Sequence, residues 1–559
     1  MIPYPAIDKS GLRLRRPDGW TLGVLALAVL MAVPVVVVLS FLLHPAGDVL
    51  YHLVETVLPD YVFNSLALML GVAAGVLAIG VTAAWLTSLC DFPGRRFFSW
   101  ALLLPLAVPA YIIAYTYTGL LDFEGPVQSQ LRAVYGWRYG DYWFPEIRST
   151  GGAIIMLSLV LYPYVYMLAR AAFLEQSHGV MEVSRTLGNG PWRTFFRVAL
   201  PLARPAIVTG LSLALMETLA DYGTVQYFGV STFTTGIFRT WFGLGDSAAA
   251  AQLAAMLMGF VFLLILVERW SRRRARFHHT GQKQTRPHPY RLRGWRAVLA
   301  FSACLLPLVL GFLLPAGQLL YWTLHTAQAG LDGSFLKLTA NSLMLAALAS
   351  GVAVVLALLM AYGKRLRPGR SVSAGVRLAA MGYAVPGTVI AVGVMLPFAW
   401  FDRTVDTWMR EAFGVSTGLL LSGTLFALVF AYTVRFLSVS IQAVEAGLGK
   451  IRLSMDDAAR SLGQRPVAVL RHIHLPLMRS TVLTALLLVF VDVLKELPAT
   501  LILRPFNFNT LAVRAYEMAA DERLADAGAP ALMIVAAGII PVILLSRAIS
   551  RGRPGEQLS

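Results

Sequence analysis

The feature that most limits what this chain can become is a succession of apolar runs, each about 20 to 25 residues long. They fall at 21–43, 63–89, 98–120, 151–174, 202–226 and 249–270, and then at 297–322, 341–363, 376–400, 417–439, 480–503 and 528–548. A helix of that length crosses the hydrocarbon of a bilayer. Inside that hydrocarbon a helix also satisfies its own backbone polar groups, which an isolated strand cannot do. The predicted fold is therefore an all-α integral membrane protein with about twelve transmembrane helices. Composition agrees, since the 559 residues are 57% hydrophobic and only 14% charged, a balance foreign to soluble domains.

Basic residues set the predicted orientation. Lys9, Arg13, Arg15 and Arg16 precede the first run, which is too long for a signal peptide's apolar region and lacks a small-x-small cleavage site. A retained first span with a cytoplasmic amino terminus is the consequence. Of 47 Lys and Arg, only ten then fall in outward loops: Arg132, Arg138, Arg148, Arg239, Lys337, Arg403, Arg410, Arg504, Arg514 and Arg523. The inner segments hold nearly all the rest, among them Arg272 to Arg274, Arg276, Lys364, Arg365, Arg547, Arg551 and Arg553. That asymmetry places both termini in the cytoplasm. It also assigns most of the net charge of +17 to the anionic inner leaflet and argues against a nucleic-acid partner.

The runs are duplicated, and so is a polar stretch between them. Met181-Glu182-Val183-Ser184-Arg185-Thr186-Leu187-Gly188 leads after nine residues to Val198-Ala199-Leu200-Pro201. Asp456-Asp457-Ala458-Ala459-Arg460-Ser461-Leu462-Gly463 leads with the same gap to Ile473-His474-Leu475-Pro476, 275 residues further on. An acid at the start of a short helix suits the helix dipole, and Gly188 and Gly463 stand where a left-handed cap ends it. Pro191 and Pro466 suit the first position of a second helix. Each stretch thus reads as an elbow, and in the first the basic residues Arg185, Arg193, Arg197 and Arg204 place it on the cytoplasmic face. Asn64-Ser65-Leu66 with Asn341-Ser342-Leu343, and Val108-Pro109 with Val385-Pro386, extend the repeat. The predicted organisation is a first repeat at 1–270 with its elbow at about 175–201, a polar linker at 271–294, and a second repeat at 295–559 with its elbow at about 446–476.

The elbow pair resembles the EAA loop of ABC importer permeases, whose short coupling helix inserts into a cleft on an ATPase. By position the resemblance makes Glu182, Gly188, Pro201, Asp457, Ala458, Ala459, Gly463 and Pro476 the ATPase-coupling residues. The first copy departs from the pattern with Val183-Ser184 in place of Ala-Ala, and the second has Asp457 in place of Glu. The implied architecture is that of a type I ABC importer permease, with two repeated six-helix halves.

Catalytic motifs are missing. There is no phosphate-binding G-x-x-x-x-G-K-[ST], the nearest approaches being Gly449-Lys450-Ile451 and Gly363-Lys364-Arg365, and no HExxH, cysteine pair or nucleophile elbow. The chain is therefore not expected to be an enzyme or to bind a cofactor. Cys90 and Cys304 read as small buried residues, and His278, His279 and His288 as part of a solvated linker rather than a metal site.

Acids inside the predicted spans carry the remaining information. Glu217 and Asp221 in the first half correspond to Asp492 and Glu496 in the second at the 275-residue offset. Within each pair the spacing is one helical turn, so each pair is expected to share a helix face. Acids at membrane depth face an interior or a wet cavity, and two roles are open for them: lining a translocation pathway, together with Tyr222, or structural pairing, with Lys495 as one partner. Tyr111, Tyr115, Tyr117, Tyr222 and Tyr227 nearby add phenol oxygens, and with the acids they favour a cationic substrate.

Ala220-Asp221-Tyr222-Gly223-Thr224-Val225-Gln226-Tyr227-Phe228-Gly229-Val230, Phe233-Thr234-Thr235-Gly236-Ile237, Lys495-Glu496-Leu497-Pro498-Ala499-Thr500 and Arg504-Pro505-Phe506 resemble the fused permeases of bacterial ferric-iron ABC importers. That resemblance covers nearly the whole chain. It implies an inner-membrane protein served by two copies of a cytoplasmic ATPase, which carries ATP and Mg, and by a periplasmic iron-binding protein. Permeases for thiamine, sulfate and polyamines share the architecture, and a proton-driven secondary transporter is a rival class with the same number of spans.

Overall fold

The computed structural model describes residues 18–45, 47–138, 140–175, 184, 186–188, 190–273, 290–330 and 333–551. Glu182, Arg185, the basic residues ahead of Asp18, the three linker histidines and Arg553 lie outside them. Among the described residues, ten helical segments are long and apolar enough to cross a bilayer. The pair Arg95–Ala107 and Ala110–Tyr135, bent by 91°, supplies another, and Gly528–Leu544 is a shorter apolar helix. In chain order these occupy the twelve predicted positions, so the all-α membrane fold stands. The one ladder of strands among the described residues is a two-residue parallel pairing of Cys90–Asp91 with Tyr290–Arg291.

The first half contains α1 (Gly19–Ser40), α2 (Leu58–Leu89), α3 (Ala110–Leu121), α4 (Thr150–Glu175), α5 (Leu200–Ala220) and α6 (Ser247–Arg273). The second begins with α7 (Trp295–Leu308), which runs through a π-helical turn into α8 (Leu314–Gly330). It continues with α9 (Gly333–Leu366), α10 (Gly387–Phe413), α11 (Leu425–Gly449), a short α12 (Leu453–Ser461), α13 (Leu475–Leu494) and α14 (Gly528–Arg551). The most extensive packing in the first half is α2 on α4, and its counterpart in the second is α9 on α11. Small residues permit the close approach: a Cβ on Gly80 or Gly210 would strike the α4 backbone at Tyr162 or Tyr164, as expected where helices associate by van der Waals fit rather than by water exclusion.

The halves are interlocked. Helix α1 packs on α10 and α9 of the second half, while α7 and α8 pack on α2 and α3 of the first. The last span of each half also crosses over, α6 to α10 and α14 to the turn Leu104–Ala107. Each of the two apolar cores therefore draws residues from both halves: Cys304 and Ile534 join the core of α2 and α4, and Val24 and Met258 join that of α9 and α11.

Two departures from the predicted spans have the same cause. The run at 98–120 is broken between Leu104–Ala107 and α3, and the run at 376–400 between Ala380–Ala384 and α10. A proline at 109 or 386 lacks the amide a continuous helix needs and pushes its predecessor out of the helical region. Val108 and Val385 accordingly sit at ψ 115° and 126°. The repeated Val-Pro is the hinge of each half.

Candidate functional site

The elbows are built as their sequence requires. Gly188 and Gly463 both have φ +77°, the left-handed conformation that ends a helix. In the second copy the amide of Gln464 bonds the Ala459 carbonyl at 3.0 Å across the turn. Pro191 and Pro466 each start a four-residue helix, followed by a π-helical turn at Phe195–Ala199 or Leu470–His474 that leads into α5 or α13. Pro201 and Pro476 are exposed second residues of those long helices.

Both elbows lie at the end of the bundle where α1 begins. Trp85, near the end of α2, packs against Phe195 with ring centroids 4.8 Å apart, and α2 returns to the end from which α1 set out. At the second elbow, Tyr362 of α9 donates to the Pro466 carbonyl at 2.9 Å, and Arg367, just beyond α9, pairs with Asp18 at the start of α1 at 2.5 Å.

Apolar side chains project from each elbow at matching positions. Leu187 and its counterpart Leu462 are 74% and 80% exposed, and Trp192 and its counterpart Val467 are 74% and 62% exposed. Asp457 is exposed beside Arg460, as is Ala458, whereas Ala459 is buried. The acid that sequence reasoning passed over is Asp456, which is buried and bridges Arg365 of α9 at 2.7 Å and His474 at 2.6 Å. Arg365 also donates to the carbonyls of Leu448 and Ile451, which bolts the second elbow to α9. The positions corresponding to Asp456 and His474 in the first half are Met181 and Ala199, which cannot make such a clamp. The doubled Asp456-Asp457 was the available signal.

Between the halves is a cavity of about 120 Å³ lined by Glu217, Asp221 and Tyr222 from the first half and by Asp492, Lys495 and Glu496 from the second. All the intramembrane acids singled out in the sequence therefore reach one place. The shared helix faces do not occur. Helix α5 stops at Ala220, with Asp221 extended at ψ 132°, and α13 stops at Leu494. Gly223 and Pro498 then open new short helices, and the acids at 221 and 496 serve those. Asp221 accepts from the amides of Thr224 and Val225, both at 3.1 Å, and from the Thr224 hydroxyl at 3.0 Å. Glu496 accepts from the Ala499 amide at 3.2 Å.

The charges on the two sides of the cavity are handled differently. Lys495 pairs with Asp492 at 2.8 Å, and Arg435 of α11, itself buried, pairs with Glu496 at 3.0 Å. No base pairs with Glu217 or Asp221 among the described residues. Arg435, a lone base inside the run at 417–439, was legible as an anomaly in the sequence, but its partner was not. The described residues contain no cluster of three or more His, Cys, Asp or Glu placed to hold a metal.

An interlocked helical duplicate with a charged cavity between its repeats and a polar elbow on each is the architecture of a membrane permease. The model of the family described as binding-protein-dependent transport system inner membrane component matches residues 77–277 and again 353–553; the chain belongs to that family and carries its domain twice. It is a multi-pass protein of the inner membrane. The Fe(3+)-transport system permease protein FbpB 2 of Haemophilus influenzae is 27% identical over 95% of this chain and 99% of its own length. The ferric transport system permease protein FbpB of Actinobacillus pleuropneumoniae is 24% identical over 72% of this chain and 58% of its own. The molybdenum transport system permease protein ModB of Escherichia coli K12 is 26% identical over 36% of this chain and 87% of its own.

Proposed function

We propose that this chain is the transmembrane permease of an ATP-driven ABC importer that moves ferric iron across the inner membrane by alternating access. A periplasmic binding protein delivers the cargo, two copies of a cytoplasmic ATPase bind the elbows, and both termini face the cytoplasm. ATP and Mg belong to the ATPase, and this chain hydrolyses nothing itself. The repeats are 1–270 and 295–559, joined by the linker at 271–294, and Glu182, Gly188, Pro201, Asp457, Ala458, Ala459, Gly463 and Pro476 are the coupling residues of the two elbows, with the buried Ala459 packing the second from inside. The observation that carries the proposal is the matched exposure of Leu187 with Leu462 and of Trp192 with Val467 on twin elbows, since paired apolar projections fit paired sockets on two copies of one partner. A proton-driven carrier has no need of such a pair.

Ferric iron is preferred to an oxyanion because the cavity holds four carboxyl groups against two basic ones, and both bases are already paired. The names of the two full or partial iron relatives point the same way. Uptake of labelled ferric ion by vesicles carrying the assembled complex tests the cargo; uptake of molybdate or sulfate in its place would overturn it. Copurification tests the elbows. Trp192→Ala combined with Leu462→Ala is expected to weaken ATPase retention by about thirtyfold or more, the effect of losing an interface hot spot of about 2 kcal/mol. Unchanged retention, with normal insertion, would remove these side chains from the interface.

A further inference from the structure

We infer that, of the four carboxylates around the central cavity, Glu217 alone meets the cargo, and that the other three hold the cavity's walls. This rests on the ferric-iron reading above. Asp221 has both oxygens occupied by Thr224 and Val225. Asp492 is held by Lys495, and Glu496 by Arg435 and the Ala499 amide. Glu217 lines the same cavity, is half-buried, and makes no hydrogen bond or ion pair to the described residues. A carboxylate kept at membrane depth without a partner is expensive and marks a pathway.

An independent feature points to the same ligand chemistry. Tyr111 also lines the cavity and is only 5% exposed, and its hydroxyl has no hydrogen-bond partner. A buried phenol oxygen and a free carboxylate are the hard oxygen donors that a small, highly charged cation selects. With no cluster of three acidic or imidazole ligands among the described residues, the stop is a weak one. That suits a transporter, whose intermediate site has to release what it admits.

The test uses the purified full-length protein with terbium(III) as a hard trivalent probe, and the assembled complex in vesicles with ferric ion. Wild type is expected to give saturable terbium emission sensitised by the cavity tyrosines. Glu217→Gln should lower its apparent affinity, and ferric uptake, by at least about tenfold. Glu217→Asp, which keeps the charge, should recover most of both, and Tyr111→Phe should give a smaller loss of terbium affinity. Asp221→Asn and Glu496→Gln should reduce thermal stability instead, leaving the terbium affinity of the folded fraction within about threefold. Glu217→Gln with unchanged terbium affinity and unchanged ferric uptake overturns the inference while leaving the ferric reading intact. Wild-type vesicles that take up an oxyanion and no ferric ion overturn both.

Discussion

Replacing Gly188 and Gly463 together by valine is expected to leave the protein inserted at its normal level while ferric uptake falls by about a hundredfold. Both glycines have φ +77°, and at either position a Cβ would meet nothing within 4 Å, so the effect is one of backbone conformation and not of crowding. A left-handed residue costs about 1–2 kcal/mol outside glycine, and a β-branched side chain tolerates that region least. The elbow relieves the strain by unwinding its turn, which in the second copy discards the bond from Gln464 to Ala459 and re-aims Leu187 and Leu462. Two elbows each strained by about 1–2 kcal/mol account together for a loss of about that size. Asparagine accepts the left-handed region more readily than other side chains, so the Asn pair should retain at least about a tenth of wild-type uptake. Undiminished uptake in the valine pair would sink the coupling role of the elbows.

The division between features legible in the sequence and features hidden from it reflects the range of the forces involved. Span positions, the Gly-Pro elbow and the repeat rest on hydropathy and on local backbone preference, and all were legible; Gly188, Pro191, Gly463 and Pro466 sit as their residue types dictate. The helical partnership of Glu217 with Asp221, and of Asp492 with Glu496, was misjudged because hydropathy does not reveal where a helix stops. In this fold α5 and α13 stop one turn or more before their apolar runs end, and Asp221 and Glu496 instead accept from first-turn amides of the short helices that begin at Gly223 and Pro498. Long-range pairs were hidden altogether. Nothing in sequence spacing links Arg435 to Glu496 or Arg365 to Asp456, and the crossing of α1 and α7 into the opposite halves depends on packing between spans distant in the chain.

Glu496→Ala is the single substitution expected to damage the folded state most, by roughly 3–5 kcal/mol. Arg435 and Glu496 are 7% and 6% exposed, and a Cβ on Gly387 would collide with both side chains, so their pairing is pressed against the start of α10. Removing the carboxylate leaves a guanidinium that cannot shed its proton in a place that water barely reaches. Arg435→Met should be milder, because the stranded Glu496 can take up a proton and become neutral. Arg435→Met with Glu496→Leu should be milder still, since two apolar side chains replace a costly pair. Thermal unfolding in detergent and protein level in membranes should therefore rank Glu496→Ala lowest, then Arg435→Met, with the double variant nearest wild type. The same double variant separates the two roles left open for the intramembrane acids. If the pair only holds the wall, ferric uptake per folded molecule stays within about threefold of wild type. A well-folded double variant that no longer transports would move Glu496 from the wall into the path of the cargo, and the cavity would then be a two-sided site with one carboxylate from each half.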